Sequence, residues 1–253
     1  MSLPPVPESF YWTRTECGWA LKCRALERIA PHLFTTRELA LSGDGWRCVG
    51  AALQAETVVT VKQVHGRGVV VVRSGVPRAE VPPDGDVLVS NDPAAAVAVR
   101  AADCVPLLLA DSATGAVAAV HAGWRGAAAG AAMAAVEALA REFGSKPQHL
   151  VVAIGPSIGA CCYTVGSELM EAFAAAGHSP HCIDRWFVQG QPVRLDLVAA
   201  NRDQLQLAGV PDTQIHASEL CTAMNLDVLT SYRAEKERAG RIGGVIRCGA
   251  TTP

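Results

Sequence analysis

Three side chains able to ligate a metal stand beside apolar runs. Cys104 directly precedes "VPLLLAD", His121 directly follows "GAVAAV", and His65 sits in "KQVHGRG" between two valine-rich runs. A catalytic zinc commonly takes three such ligands and leaves a fourth position open to water. The separations match neither an HExxH helix nor a zinc finger, so the site would have to be assembled from the ends of different strands. The same residues admit plainer readings: a turn histidine satisfied by backbone, an inert core thiol, and a polar strand end. They also admit nucleophilic catalysis. Cys104 could attack with His121 as base, and Asp103 or another acid could orient the imidazole. A thiolate is both nucleophile and metal ligand, so metal content separates the two chemistries.

The flank of His121 adds a second function. In "HAGWRG", the glycines let backbone N–H groups approach a ligand, and a helix N-terminus favours anions. Arg125 supplies a planar donor suited to phosphate or carboxylate. Gly123 and Gly126 equally fit a tight strand-to-helix turn. Arg37 in "LFTTR" and Arg233 in "TSYR" lie near expected strand ends and could reach an anion. "GPSIG" satisfies the serine-hydrolase pattern G-x-S-x-G, but "ACCYTV" follows where a nucleophile elbow needs a helix. It is read as a strand-end loop. "GHSPHC" reads as a solvated loop, and His32, His149 and His216 have no companions.

Elements that could position these groups follow from periodicity and punctuation. Val58–Val61 and Val69–Val72 suggest two short strands joined by a glycine-bearing turn, and "VPRAEVPPDGD" a loop. Strands are expected near 87–90, 96–100, 105–109, 115–120 and in "HLVVAIG". The alanine-rich run from Trp124 to Phe143 predicts one helix closed by Gly144. "SELMEAFAAAG", with Ser167 as N-cap, and "LDLVAANRDQLQLAGV" predict two more. A short helix and a final strand, "GGVIRC", complete one mixed α+β domain.

The 253 residues are half hydrophobic and 18% charged, with a formal net charge of −2. That balance excludes disorder and offers no electrostatic footprint for nucleic acid. No signal pattern opens the chain and no apolar run is long enough for a membrane span, which predicts a cytoplasmic protein. Disulfides are rare in such a compartment, and no CxxC pair occurs among the nine cysteines, so most are expected to be small core residues.

The order of "KQVHG", "ADCVPLLLAD", "HAGWRGAAAG", "IGPSIGACCYTV", "LDLVAANRDQL", "CT" and "SYR…GR" resembles the YfiH/laccase-domain family over about Leu33 to Ile246. The resemblance implies a domain over 33–253 with residues 1–32 as a less securely aligned N-terminal part. It implies a mixed α/β fold with sheets sandwiched and flanked by helices, distantly related to cysteine deamidase toxins. It further implies zinc at His65, Cys104 and His121, with Arg37 nearby. The implied activity is phosphorolysis of adenosine, inosine and methylthioadenosine, with adenosine deamination. Purine nucleoside and phosphate would then be the partners, with no nucleic acid or membrane. Asp103 is the nearest general acid/base in sequence, and Arg37 and Arg125 are the expected phosphate donors. The family's older label, copper-dependent polyphenol oxidase, needs several coppers and many histidines; seven scattered ones fit it poorly. Cu2+ could still occupy the zinc site. A Cys/His hydrolase and a metal-binding protein with vestigial activity are further alternatives. One departure stands out: the family follows "TR" with a Gly-Gly turn, and this chain has "RELALSGDGW".

Overall fold

Val105–Asp111 is buried at every position, and its side chains divide between two faces. Val105, Leu107 and Leu109 pack among helices, whereas Leu108 and Ala110 pack toward a second sheet. A strand covered on both sides needs no polar alternation, which is why "VPLLLA" is continuously apolar. The computed structural model describes residues 2–78, 80–188 and 190–249, and in it two six-stranded sheets lie face to face.

In chain order the strands are β1 (Phe10–Thr15), β2 (Gly18–Cys23), β3 (His32–Thr35), β4 (Thr57–Val59), β5 (Val69–Val72), β6 (Val87–Ser90) and β7 (Ala95–Ala101). They continue with β8 (Val105–Asp111), β9 (Val117–Ala122), β10 (Leu150–Ile154), β11 (Phe187–Val188), β12 (Arg194–Leu195), β13 (Ile215–Ala217) and β14 (Ile242–Arg247). The helices are α1 (Arg24–Glu27), α2 (Gly43–Ala52), α3 (Trp124–Ala129), α4 (Ala131–Phe143), α5 (Glu168–Ala175), α6 (Pro180–Trp186), α7 (Leu197–Leu207) and α8 (Tyr232–Glu235).

The first sheet runs β1-β2-β3-β14-β7-β4 and the second β13-β10-β8-β9-β6-β5, with β11-β12 a separate ribbon. Three parallel pairings, β4–β7, β5–β6 and β10–β13, interrupt antiparallel ladders. Phe34, Val97, Val99 and Ile246 meet Leu88, Leu108 and Ala119 between the sheets. Val49 of α2 and Leu53 just past its end cover the outer face of the first sheet against Ala96, Ala98 and Val245. Ala131, Ala135 and Leu139 of α4, with Leu197 and Leu205 of α7, cover the second. This is the expected mixed α+β fold of sandwiched sheets flanked by helices. Residues 10–23 supply two of its strands. No helix among the described residues is long and apolar enough to cross a membrane.

Several local expectations are corrected. The runs around Val58 and Val69 form no hairpin: β4 pairs with β7 in one sheet and β5 with β6 in the other. The long helix breaks at Gly130, whose φ of 80° closes α3 and opens α4. "GHSPHC" is helical from Pro180, with the Ser179 hydroxyl accepting from Cys182 N–H at the N-cap. His178 is not solvated there but packs between Phe173 and Trp186, with Nε2 bonded to the Ala128 carbonyl. Ser167 flanks α5 without a side-chain cap. The cysteines depart most: Cys17 and Cys48 form a disulfide between the β1–β2 turn and α2, their Cα atoms 5.7 Å apart. Only Cys23 and Cys248 of the free thiols are buried.

His32 lies fully inside the first sheet, its Nε2 accepting from Cys23 N–H and its Nδ1 facing the Ala30 carbonyl. Burial pushes the imidazole down to about 4, so it is neutral in the native state. The unfolded chain takes up this proton below the ordinary value near 6.5, and the folded chain does not until about 4. Stability is therefore lost as pH falls across that window, by about 3 kcal/mol from this residue. Urea unfolding of chelator-treated protein should show a steep acid slope that His32→Asn flattens. Equal slopes for the two proteins would refute the assignment.

Candidate functional site

The antiparallel ladder of β8 and β9 explains why Cys104 meets His121. Pro106 is opposite His121 and Val105 opposite Ala122, so the start of one strand abuts the end of the other. β6 lies on the far side of β9, with Val87 opposite Val120. That register places Asp86 beside His121: the His121 N–H donates to the Asp86 carbonyl, and Nδ1 is 2.8 Å from Oδ1. His65 arrives from the loop after β4. Backbone N–H groups of Val64, His65 and Gly66 all donate to the Asp86 carboxylate, at 3.2, 3.0 and 2.6 Å. This grip holds His65 at a φ of 62°, a left-handed conformation rare for a non-glycine residue. Gln63 ties the same loop to the end of β7 through reciprocal bonds with the Arg100 backbone.

The three predicted ligands do converge. One ligand atom from each of His65, Cys104 and His121 lies within 4.8 Å of the others. Asp86 occupies Nδ1 of His121 and leaves Nε2 free to ligate, the arrangement by which a carboxylate fixes a metal-bound histidine. Gly123 is needed because a Cβ there would stand 2.7 Å from Cys104 Sγ and 3.4 Å from His65 Cδ2. The donor set of two imidazoles and one thiolate suits a zinc ion with an open fourth position.

Electrostatics agree with the geometry. Burial alone would push the Cys104 thiol up, but hydrogen bonds and charge from His121 and His65 outweigh it and draw it down to about 7. Burial opposes protonation of His121 as well, yet Asp86 and Cys104 raise it to about 9. Asp86 is held below the usual carboxylate range: burial works against it, and hydrogen bonds from His121, Gly66 and His65 prevail.

The trio opens into a cavity of about 1290 Å³ whose wall includes Arg37, Asp103, Arg125 and Arg233. Arg125 stacks on Trp124, 4.3 Å from the ring centroid, and makes no ion pair among the described residues. Arg37 spends its guanidinium on the Leu226 and Leu229 carbonyls and on Glu235. Asp103 accepts from the Thr222 hydroxyl at 2.6 Å and the Arg233 N–H at 2.6 Å, in a backbone conformation with φ of 88°. Arg233 itself donates to the Thr164 carbonyl and lies over Tyr163. Ser157 of "GPSIG" is buried and bridges to Cys221, away from any nucleophile role. Sequence reasoning missed Asp86 and Gln63. An acid placed directly before the apolar strand "VLVS" was the available signal for the first.

The sequence model of the family described as "Multi-copper polyphenol oxidoreductase laccase" matches residues 45–249. A purine nucleoside phosphorylase of Deinococcus radiodurans is 34% identical over 246 residues, covering 88% of this chain and 91% of its own. A protein named adenosine deaminase, from an unknown prokaryotic organism, is 38% identical over 62% of this chain and 59% of its own. The crystal structure of YlmD from Geobacillus stearothermophilus superposes with a TM-score of 0.81 at 27% identity, covering 96% of this chain and 99% of that one.

Proposed function

The chain belongs to the multi-copper polyphenol oxidoreductase laccase family, and from that premise we propose that it is a zinc-dependent purine nucleoside phosphorylase. The observation that carries this reading is the convergence of His65, Cys104 and His121 at one end of a cavity walled by arginines. Zinc is the ion assigned to these ligands, and Cu2+ is a competitor because copper binds such N/S sites more tightly. A bound zinc supplies Lewis acidity to an oxygen or a water at the cavity end. Adenosine, inosine and methylthioadenosine are the proposed substrates, cleaved by phosphate to base and ribose 1-phosphate.

The chain's own groups account for binding. Phosphorolysis requires a phosphate held against the ribose C1′ as the base departs. Arg125, with no carboxylate partner among the described residues, is assigned to that phosphate. Arg37 stands on the same wall, and its bonds to the 226–235 segment make it a brace for the phosphate region. Trp124 and Tyr163 offer aromatic surface for a purine face. Asp103 is assigned a positioning role, holding the Arg233 backbone and the turn before Cys104. The relative named adenosine deaminase favours a second reaction at the same site, removal of the purine amino group with Asp103 near the proton traffic. A multicopper cluster is disfavoured, since the two metal-capable groups among the described residues contain just two histidines.

The test incubates metal-quantified protein with adenosine or inosine, with and without phosphate, and resolves bases and nucleosides by chromatography. Phosphate-dependent base release, lost in Cys104→Ala, is the expected result. Absence of turnover in zinc-loaded protein would overturn the reading. Activity that survives chelation would replace it with Cys/His hydrolysis.

A further inference from the structure

We propose that Cys161, Cys162 and Cys221 form a second, all-thiolate site for a soft d10 cation, Zn2+ or Cu+, independent of the nucleoside reading. Their sulfurs all lie within 4.8 Å of one another, and Cys161 and Cys162 are 3.6 Å apart. A tetrahedral ion with Zn–S bonds of about 2.3 Å sets its sulfurs roughly 3.8 Å apart, so the cluster needs little closure. Thiolates select such ions over hard cations.

The sulfurs are brought together by the fold rather than by one loop. Cys161 and Cys162 follow β10, Cys221 follows β13, and these strands are parallel neighbours. The pairing continues past their ends: Ser157 bridges to Cys221, its N–H donating to Leu220 and its carbonyl accepting from Thr222. Gly159 keeps the space clear, because a Cβ there would stand 3.2 Å from Cys161 Sγ and 3.4 Å from Cys221 Cβ. The Gly159 N–H also donates to Cys221 Sγ at 3.3 Å, a contact that favours thiolate at that position. None of the three serves the cavity trio. Cys161 is exposed, so an ion can reach the cluster from solvent.

Occupancy would clamp the two segments that grip Asp103. Ile158 N–H donates to the Asp103 carbonyl at 2.9 Å, and the Thr222 hydroxyl donates to its carboxylate. The ion would thereby brace the turn leading into Cys104 from behind.

The experiment uses Cys104→Ala, which removes the first site. The protein is stripped with chelator under a phosphine reductant, and its free thiols are counted. Zn2+ is then titrated against a chromogenic chelator, and Cu+ against a Cu+-specific one. One equivalent of either ion is expected to remain bound, and to vanish when Cys161, Cys162 and Cys221 are all changed to serine. Cys161→Ser alone, at the exposed position, covers the case in which the triple variant fails to fold and should weaken binding at least tenfold. No bound equivalent with all thiols reduced would overturn the proposal. So would equal stoichiometry in the serine variants, or a disulfide within the trio that persists under reductant. Nucleoside turnover is not a readout, so failure here leaves the phosphorylase reading intact.

Discussion

Asp86→Asn should cost the chain its metal affinity by 10- to 100-fold and about 3 kcal/mol of stability. The carboxylate is wholly buried and accepts four hydrogen bonds, three from the Val64–Gly66 backbone and one from His121. An asparagine must turn its NH2 toward donors on one side, leaving either backbone N–H groups or His121 Nδ1 unmatched. Two ligands suffer together, because the same carboxylate holds the left-handed His65 and the His121 ring. Zinc titration against a chromogenic chelator, with urea unfolding on the same samples, measures both effects. A folded Asp86→Asn protein that binds zinc within threefold of the parent would show that Asp86 does not organise the ligands. Asp86→Ala should be worse, since every donor then loses its acceptor.

That dependence explains which parts of the site could be read from the chain. Cys104 and His121 were visible because each interrupts an apolar run at its end, and β8–β9 pairing turns those ends into one place. His65 was visible as a histidine between valine runs, but its partner was not. Asp86 sits at the end of "PPDGD", where acids ordinarily mark a turn, and only the β6–β9 register reveals that it faces His121. The false hairpin has the same origin. β4 and β5 find their parallel partners, β7 and β6, beyond their own turn, and parallel pairing leaves no local turn signature. Helix propensity read Trp124–Phe143 correctly in kind, yet Gly130 in a left-handed conformation divides it. This break lets α3 follow the cavity wall while α4 lies along the second sheet. The disulfide of Cys17 and Cys48 was invisible for another reason, since their 31-residue separation carries no spacing code.

Metal-stripped protein should alkylate at Cys104 with an inflection near pH 7, well below an ordinary thiol. Burial works to raise this thiol, and His121 and His65 overcome it. At neutral pH about half of Cys104 is thiolate, against a few per cent for a thiol near 8.5. After the lower intrinsic nucleophilicity of a more acidic thiol, Cys104 labelling should still be roughly threefold faster than that of an ordinary cysteine. The signs for stability run in opposite directions for the two partners. The depressed Cys104 contributes stability that is present above its unfolded value and lost as pH falls through about 7. The raised His121 contributes stability that is present below about 6.5 and lost as pH rises through about 9. Between about 7 and 9 the Cys104 contribution grows as the His121 contribution is lost, so the pair should leave apo stability nearly flat across that window. His121→Ala removes the donor while burial persists, so the inflection should move upward and neutral-pH labelling should slow by an order of magnitude. Labelling by iodoacetamide, followed at the Cys104 peptide by mass spectrometry, separates this thiol from Cys161, Cys162 and Cys221. An inflection at or above 8.5 in the parent would remove the ion pair from the account. Zinc added before the reagent should protect Cys104 fully, because the lone pair that attacks carbon is the one that binds the metal. Rapid labelling despite bound zinc would place the ion elsewhere and leave Cys104 a free nucleophile.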